Sequence, residues 1–247
     1  MAGHLMNQQA SALIVGAGDA TGGAIARRVA REGLIACVVR RNGDKLAPLV
    51  ARIEADGGAA RAFGVDAREE DAVVSLFDMI ERDVAPLELV VFNIGANVNF
   101  PIRDTTARVY RKVWEMACFA GFLTGREAAR KMAPRQRGTI IFTGASASLR
   151  GRSGFAAFSS AKHALRSLAQ SMAKELGPEG VHVAHVVIDG AIDTPWIREN
   201  FPDWAALRTR EGILEPDAIA EMYWALHRQP RSAWTHELDL RPWMEAW

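Results

Sequence analysis

The chain lacks most of the features that place a protein in a special class. Only two of its 247 residues are cysteines, Cys37 and Cys118. Both sit in apolar runs, with no Cys-x-x-Cys spacing and no Cys/His cluster. That excludes a disulfide framework and a metal site and leaves two reduced core thiols. No apolar run reaches the roughly 18 residues that span a bilayer. The first ten residues have neither the charged nor the apolar region of a signal peptide, so a frayed start and a cytoplasmic location are expected. Thirty basic residues against 29 acidic ones leave a net charge of +1, which excludes a broad electrostatic surface for nucleic acid. No low-complexity tract, short repeat or linker interrupts the chain, so residues 1–247 are expected to form one domain.

What is present is alternation. Apolar runs that read as strands cover 11–15, 34–39, 60–65, 87–93, 138–143, 181–188 and 234–240. Between them, amphipathic stretches read as helices: one ending near Arg31, then 44–55, 69–82, 105–132, 155–176 and 216–228. The strands are nearly continuous in apolar residues, as in parallel strands covered on both faces. Strand–helix–strand units imply right-handed crossovers. The expected fold is therefore α/β: a single doubly wound, Rossmann-type parallel sheet with helices on both faces. Asp44 is the expected cap of the second helix. The connection 193–215 carries Pro195, Trp196, Phe201, Pro202 and Trp204. It reads as a substrate loop, or as a helical excursion covering apolar surface.

The turn after the first strand contains Gly16, Gly18 and Gly22. Gly16 and Gly18 let the backbone turn tightly and approach a pyrophosphate, and Gly22 lets the helix pack near the strand. The helix N-terminus then offers free N–H groups and a positive dipole end to the phosphates. This is the pattern of a nicotinamide dinucleotide site. After the second strand come Arg40 and Arg41, where an acid would bond the 2′-hydroxyl of NAD. Guanidinium groups suit a 2′-phosphate instead, so NADP is expected over NAD.

With these residues in place, the chain resembles the short-chain dehydrogenase/reductase family from about Ser11 onward. The resemblance rests on the glycine loop, Asp66, Asn93-Ile-Gly95, Phe158-Ser-Ser-Ala-Lys162, and Asp189-Gly190 through Thr194. It implies NAD(P)-dependent chemistry at a carbonyl or alcohol, with a small-molecule substrate. By the same resemblance, Asp66 contacts the adenine, Asn93 and Gly95 line the cofactor, and Gly190 and Thr194 lie near the nicotinamide. Val15, Ala20, Phe92 and Asp189 depart from the family pattern. The catalytic positions depart further. The family's Tyr, Ser and Asn fall at Phe158, Ala145 and Ala117, and only Lys162 is retained. This is the pattern of a divergent subgroup, either an oxidoreductase with an atypical proton donor or a nucleotide-binding sensor or partner subunit without turnover.

Few groups remain to handle a proton. Lys162 can bind the nicotinamide ribose, or act as an acid if burial lowers its pKa. Ser146 and Ser148 can bind a substrate oxygen or serve turn chemistry. Ser159 and Ser160 read as helix-facing or solvated, and His163, His182 and His185 as structural. Arg126, Arg130 and Lys131 read as a solvated helix face. In related proteins the chain end helps pack the oligomer, so the aromatic stretch 239–247 suggests a homo-oligomer, a dimer or tetramer.

Overall fold

The computed structural model describes residues 9–246; residues 1–8 and Trp247 lie outside it, and with them most of the expected frayed start. Its strands are β1 (Ser11–Val15), β2 (Ile35–Arg40), β3 (Ala60–Gly64), β4 (Leu87–Phe92), β5 (Thr139–Thr143), β6 (His182–Ile188) and β7 (Glu237–Leu240). Its α-helices are α1 (Thr21–Arg31), α2 (Ala47–Ala55), α3 (Glu70–Asp83), α4 (Ala107–Trp114), α5 (Ala120–Met132), α6 (Ala156–Leu176), α7 (Pro195–Asn200), α8 (Trp204–Thr209) and α9 (Pro216–His227). All seven strands pair in parallel in the order β3-β2-β1-β4-β5-β6-β7. The winding direction reverses between β1 and β4, which opens a crevice at the C-terminal ends of those strands.

The two faces of the sheet bury separate cores, which explains the unbroken apolar runs. Along β1, Leu13 and Val15 join a core with α3, α5 and α6, while Ala12 and Ile14 join one with α1, α2 and α9. The edge strand β3 carries exposed residues such as Arg61.

Three local expectations are corrected. Asn42, not Asp44, caps the segment after β2. Its backbone is extended and its side chain accepts the Asp44 N–H at 3.1 Å, while Asp44 already lies inside a 3₁₀ turn (Gly43–Leu46) leading into α2. The long helix expected over 105–132 is continuous but contains a π-helical segment, Glu115–Phe119, between α4 and α5. The last strand starts at Glu237 rather than 234, because Arg231–Ala233 form a 3₁₀ turn. Arg126, Arg130 and Lys131 lie on the helix surface, where Arg126 pairs with Glu70 and Glu127, Arg130 with Glu127 and Lys131 with Asp78. No helix among the described residues is long and apolar enough to cross a membrane.

Both cysteines are buried and free, and burial pushes the Cys37 thiol up to about 12, so it is inert. His185 and His227 are held by Glu237 and by the Thr139 hydroxyl, each at 3.0 Å. Burial pushes both imidazoles down to about 4. They stay neutral in the folded chain where an unfolded imidazole, with a pKa of about 6.5, takes a proton. Their contribution is intact above pH about 6.5 and is lost as pH falls toward about 4. Scanning calorimetry should therefore show Tm falling through this window, and His227→Gln should flatten the slope. A slope identical in the two proteins would remove His227 as a cause.

Candidate nucleotide and active site

The turn from β1 into α1 is built around distances that leave no room for side chains. Gly16 has φ +93°, and a Cβ there would lie 2.9 Å from the Asn93 carbonyl. A Cβ on Gly22 would lie 2.4 Å from Gly16 O. Asn93, just beyond β4, locks the junction by donating from Nδ2 to Gly16 O at 3.2 Å. Gly18 differs: a Cβ there meets nothing within 4 Å. Its open side faces the crevice. Helix α1 starts without a side-chain cap, since its N-cap residue is Ala20. Its first N–H groups therefore point into the crevice uncapped. Thr21 Oγ1 beside them is buried with no hydrogen-bond partner.

From this turn the crevice extends both ways. Toward the β2 and β3 ends is a cavity of about 540 Å³ whose wall includes Arg40, Arg41, Lys45, Asp66 and Arg68. Arg68 grips Asp66 with two guanidinium nitrogens, which holds the Asp66 carboxyl below its usual range. Asp66 also accepts the Arg68 N–H at 3.1 Å, so it both shapes the turn and faces the cavity. Lys45 and Arg68 had not been marked from the sequence, where nothing distinguishes them from surface cations.

Toward β5 and β6 is a cleft of about 410 Å³ that brings together Gly95, Asn97, Ala145, Ser146, Phe158, Lys162 and Gly190. Lys162 is buried, and its Nζ donates to Thr143 O at 2.8 Å and to Ile94 O at 3.1 Å. These use two of its three donor positions. Burial pushes its pKa down to about 8. Phe158 lies one helical turn earlier, with its ring 5.9 Å from Lys162 Nζ. Ala117 sits within the π-helical segment and packs in an apolar cluster with Phe158, Ala147 and Ala161. The three positions read as lost Tyr, Ser and Asn thus meet in one apolar patch beside the lysine. Ser148 is buried and accepts the Ala145 N–H, so it shapes the turn, whereas Ser146 opens on the cleft. Ser159 and Ser160 donate to helix carbonyls, and His163 bonds Ser159 O.

A third cavity, of about 950 Å³, adjoins the cleft; Asn97, Ser146, Gly190 and Ile192 line both. Its outer wall is the connection 193–215, which forms α7 and α8 and presents Trp196 and Phe201. The helical-excursion and cavity-lining readings of this segment therefore both apply. Asp193 anchors it. Its buried carboxylate accepts from Arg198 at 2.7 Å and from Trp204 Nε1 at 2.8 Å, and these bonds hold it ionised. Thr194 caps α7 by accepting the Ile197 N–H, and it lines this outer cavity, not the cleft. Asp189 is buried against Arg150.

A family model described as short chain dehydrogenase matches residues 10–204. The chain belongs to the short-chain dehydrogenase/reductase family of NAD(P)-dependent oxidoreductases. A crystal structure of a short-chain dehydrogenase from Rhodopseudomonas palustris is 52% identical, superposes with a TM-score of 0.82, and covers 95% of this chain and 99% of its own. A metagenomic short-chain oxidoreductase in complex with NADP is 25% identical, with a TM-score of 0.81 over 95% of this chain and 96% of its own. Gluconate 5-dehydrogenase of Gluconobacter oxydans is 29% identical over 208 residues, which is 82% of this chain and 81% of that protein.

The packing of the glycine turn predicts opposite outcomes for two neighbouring substitutions. Gly22→Ala forces a Cβ against backbone and should cost about 1–3 kcal/mol of stability. Gly18→Ala should change stability by no more than about 0.5 kcal/mol. Urea unfolding of both variants checks this; equal costs would mean that the turn is not packed as described.

Proposed function

We propose that this chain binds NADP in the crevice and acts on a small carbonyl or alcohol held in the outer cavity, with Lys162 and Ser146 supplying the polar contacts near the reacting centre. The observation that carries the nucleotide reading is the uncapped start of α1 with the partnerless Thr21 hydroxyl beside it. A pyrophosphate there would satisfy both the free N–H groups and the hydroxyl. Gly18 faces the same space without a Cβ to fill it. Arg40 and Arg41 favour the 2′-phosphate form because a guanidinium fork matches phosphate oxygens. Asp66 lies in the same cavity, placed for the adenosine end, and Asn93, Gly95 and Gly190 line the path to the nicotinamide end.

When bound, the nicotinamide supplies or receives a hydride, and the protein positions and polarises. Lys162 is protonated at neutral pH but close to giving up its proton, and it lines the cleft. It can hold ribose hydroxyls or a substrate oxygen. Ser146, at the seam of cleft and outer cavity, can donate to that oxygen. Loss of one acid–base group costs about 10²–10⁴ in rate, or about 3–5.5 kcal/mol of barrier. Phe158, Ala145 and Ala117 therefore suit a slow enzyme rather than an inert one. The same apolar patch favours a second reading, a nucleotide-binding protein without turnover.

The name of the Gluconobacter relative supports a hydroxyl-bearing substrate, and the NADP complex of the metagenomic relative supports the cofactor. We further propose cytoplasmic residence and a homo-oligomer, a dimer or tetramer, joined through the chain end, where Trp243 is 77% exposed.

Calorimetric titration should show NADPH binding at least about tenfold more tightly than NADH, with the preference abolished in Arg40→Ala/Arg41→Ala, as expected for charge-assisted bonds worth about 1.5–3 kcal/mol. Equal affinities in both proteins would remove the NADP assignment. With nucleotide bound, substrate-dependent oxidation of NADPH or reduction of NADP that falls in Lys162→Ala supports the enzyme. Binding without turnover across a broad carbonyl and alcohol panel supports the second reading.

A further inference from the structure

After β7 the chain folds back along the outer cavity and is fixed at three points. Pro242 packs on Gly190, where an added Cβ would come within 2.8 Å of its ring. Trp243 Nε1 donates to Arg210 O at 3.0 Å. Met244 Sδ stands 2.7 Å from where a Cβ on Gly212 would be. The fold-back carries Glu245 into the wall of the outer cavity, with Oε2 3.5 Å from the Cβ position of Gly190. Gly190 in turn lines the cleft that contains Lys162 and Phe158. A carboxylate from the end of the chain thus stands at the seam where nucleotide and substrate would meet.

Its surroundings leave it uncommitted. The other acid of the cavity wall, Asp189, is engaged by Arg150 at 2.9 Å and approached by Arg241 at 3.9 Å. Lys162 is bonded to its two carbonyls. Arg152 lines the same outer cavity. No hydrogen bond or ion pair engages the half-buried Glu245 side chain among the described residues. Apolar groups that share its cavity wall, Ile192, Ile197 and Phe201, weaken the screening of its charge.

We infer that Glu245 is a specificity-determining carboxylate that favours the oxidised nucleotide and a hydroxyl-bearing substrate, fitting the site to alcohol oxidation. The oxidised nicotinamide ring carries a positive charge that the reduced ring lacks, so a nearby carboxylate attracts one form and not the other. An alcohol offers a donor to a carboxylate, whereas a ketone offers only an acceptor. The inference rests on the reading that the crevice holds a nicotinamide dinucleotide.

Calorimetric affinities of the full chain for NADP⁺ and NADPH, measured separately, test it. Glu245→Gln should weaken NADP⁺ about fivefold and leave NADPH within about twofold, the size of one partly screened charge pair. Glu245→Asp, which keeps the charge, should retain most of the NADP⁺ preference. Equal weakening of both forms by Glu245→Gln would mean that the tail acts only structurally and would overturn the inference, as would an unchanged ratio. If the unmodified chain binds neither nucleotide, the nucleotide reading fails and takes this inference with it. If it binds both and the ratio ignores Glu245, only the inference fails.

Discussion

Everything in the site depends on one close approach, where Gly16, Gly22 and the backbone at Asn93 meet without side chains between them. The contact joins the end of β1, the start of α1 and the end of β4 within the reach of a single Cβ. It places the uncapped helix end at the switch point of the sheet, where a crevice must open because the winding direction reverses. The Asn93 amide bond to Gly16 O contributes about 1 kcal/mol by itself. Its larger effect is geometric, since it fixes the turn against the next strand. A β-carbon at Gly16 or Gly22 would separate these elements and with them the two ends of the crevice.

The crevice is electrostatically uneven. At the β2 and β3 end, Arg40, Arg41, Lys45 and Arg68 face one carboxylate, Asp66, which Arg68 already engages. Positive charge is in excess there, as a phosphorylated ribose would require. At the β5 and β6 end, the one cation on the cleft wall among the described residues is Lys162, held by two backbone carbonyls and paired with no carboxylate among them. Burial without a counter-charge lowers its pKa, because the charged form loses hydration that no anion replaces.

Much of this was legible in the sequence, and the reason is physical. A central parallel strand is apolar at nearly every position, so the succession of strands along the chain could be read directly, along with the glycines that end the first of them. The Phe158–Lys162 spacing is one turn of helix and survives any detail of packing. What escaped were features set by folding rather than by spacing. Asn42 displaced Asp44 as a cap because the backbone at residue 42 is the extended one. Thr194 turned to cap α7 and so left the cleft. Lys45, Arg68 and Asn97 carry no pattern of their own. Glu245 reaches the site only because Pro242, Trp243 and Met244 are sutured to Gly190, Arg210 and Gly212, contacts that no periodicity announces.

The two halves of the site are therefore built by different rules. The nucleotide half comes from the winding of the sheet together with the side-chain-free contact at Gly16, Gly22 and Asn93. The outer half comes from α7, α8 and the folded-back tail, and it is held together by Asp193 with Arg198 and Trp204 and by a short parallel bridge between Ile192 and Leu214. Phe158 and Ala145 line the cleft on the nucleotide side of the seam, and Ala117 is buried behind them. The π-helical segment at Ala117 persists even though an alanine methyl has no polar group to present, and such distortions are often kept at functional sites. Through its packing with Phe158 and Ala161, this segment supports the helix that carries Lys162. Asn97, Ser146 and Gly190 meet at this seam, and Glu245 approaches it from the outer side. The polar groups at the junction of cleft and outer cavity, Ser146 and Asn97, therefore come from loops that follow the strands rather than from the strands themselves.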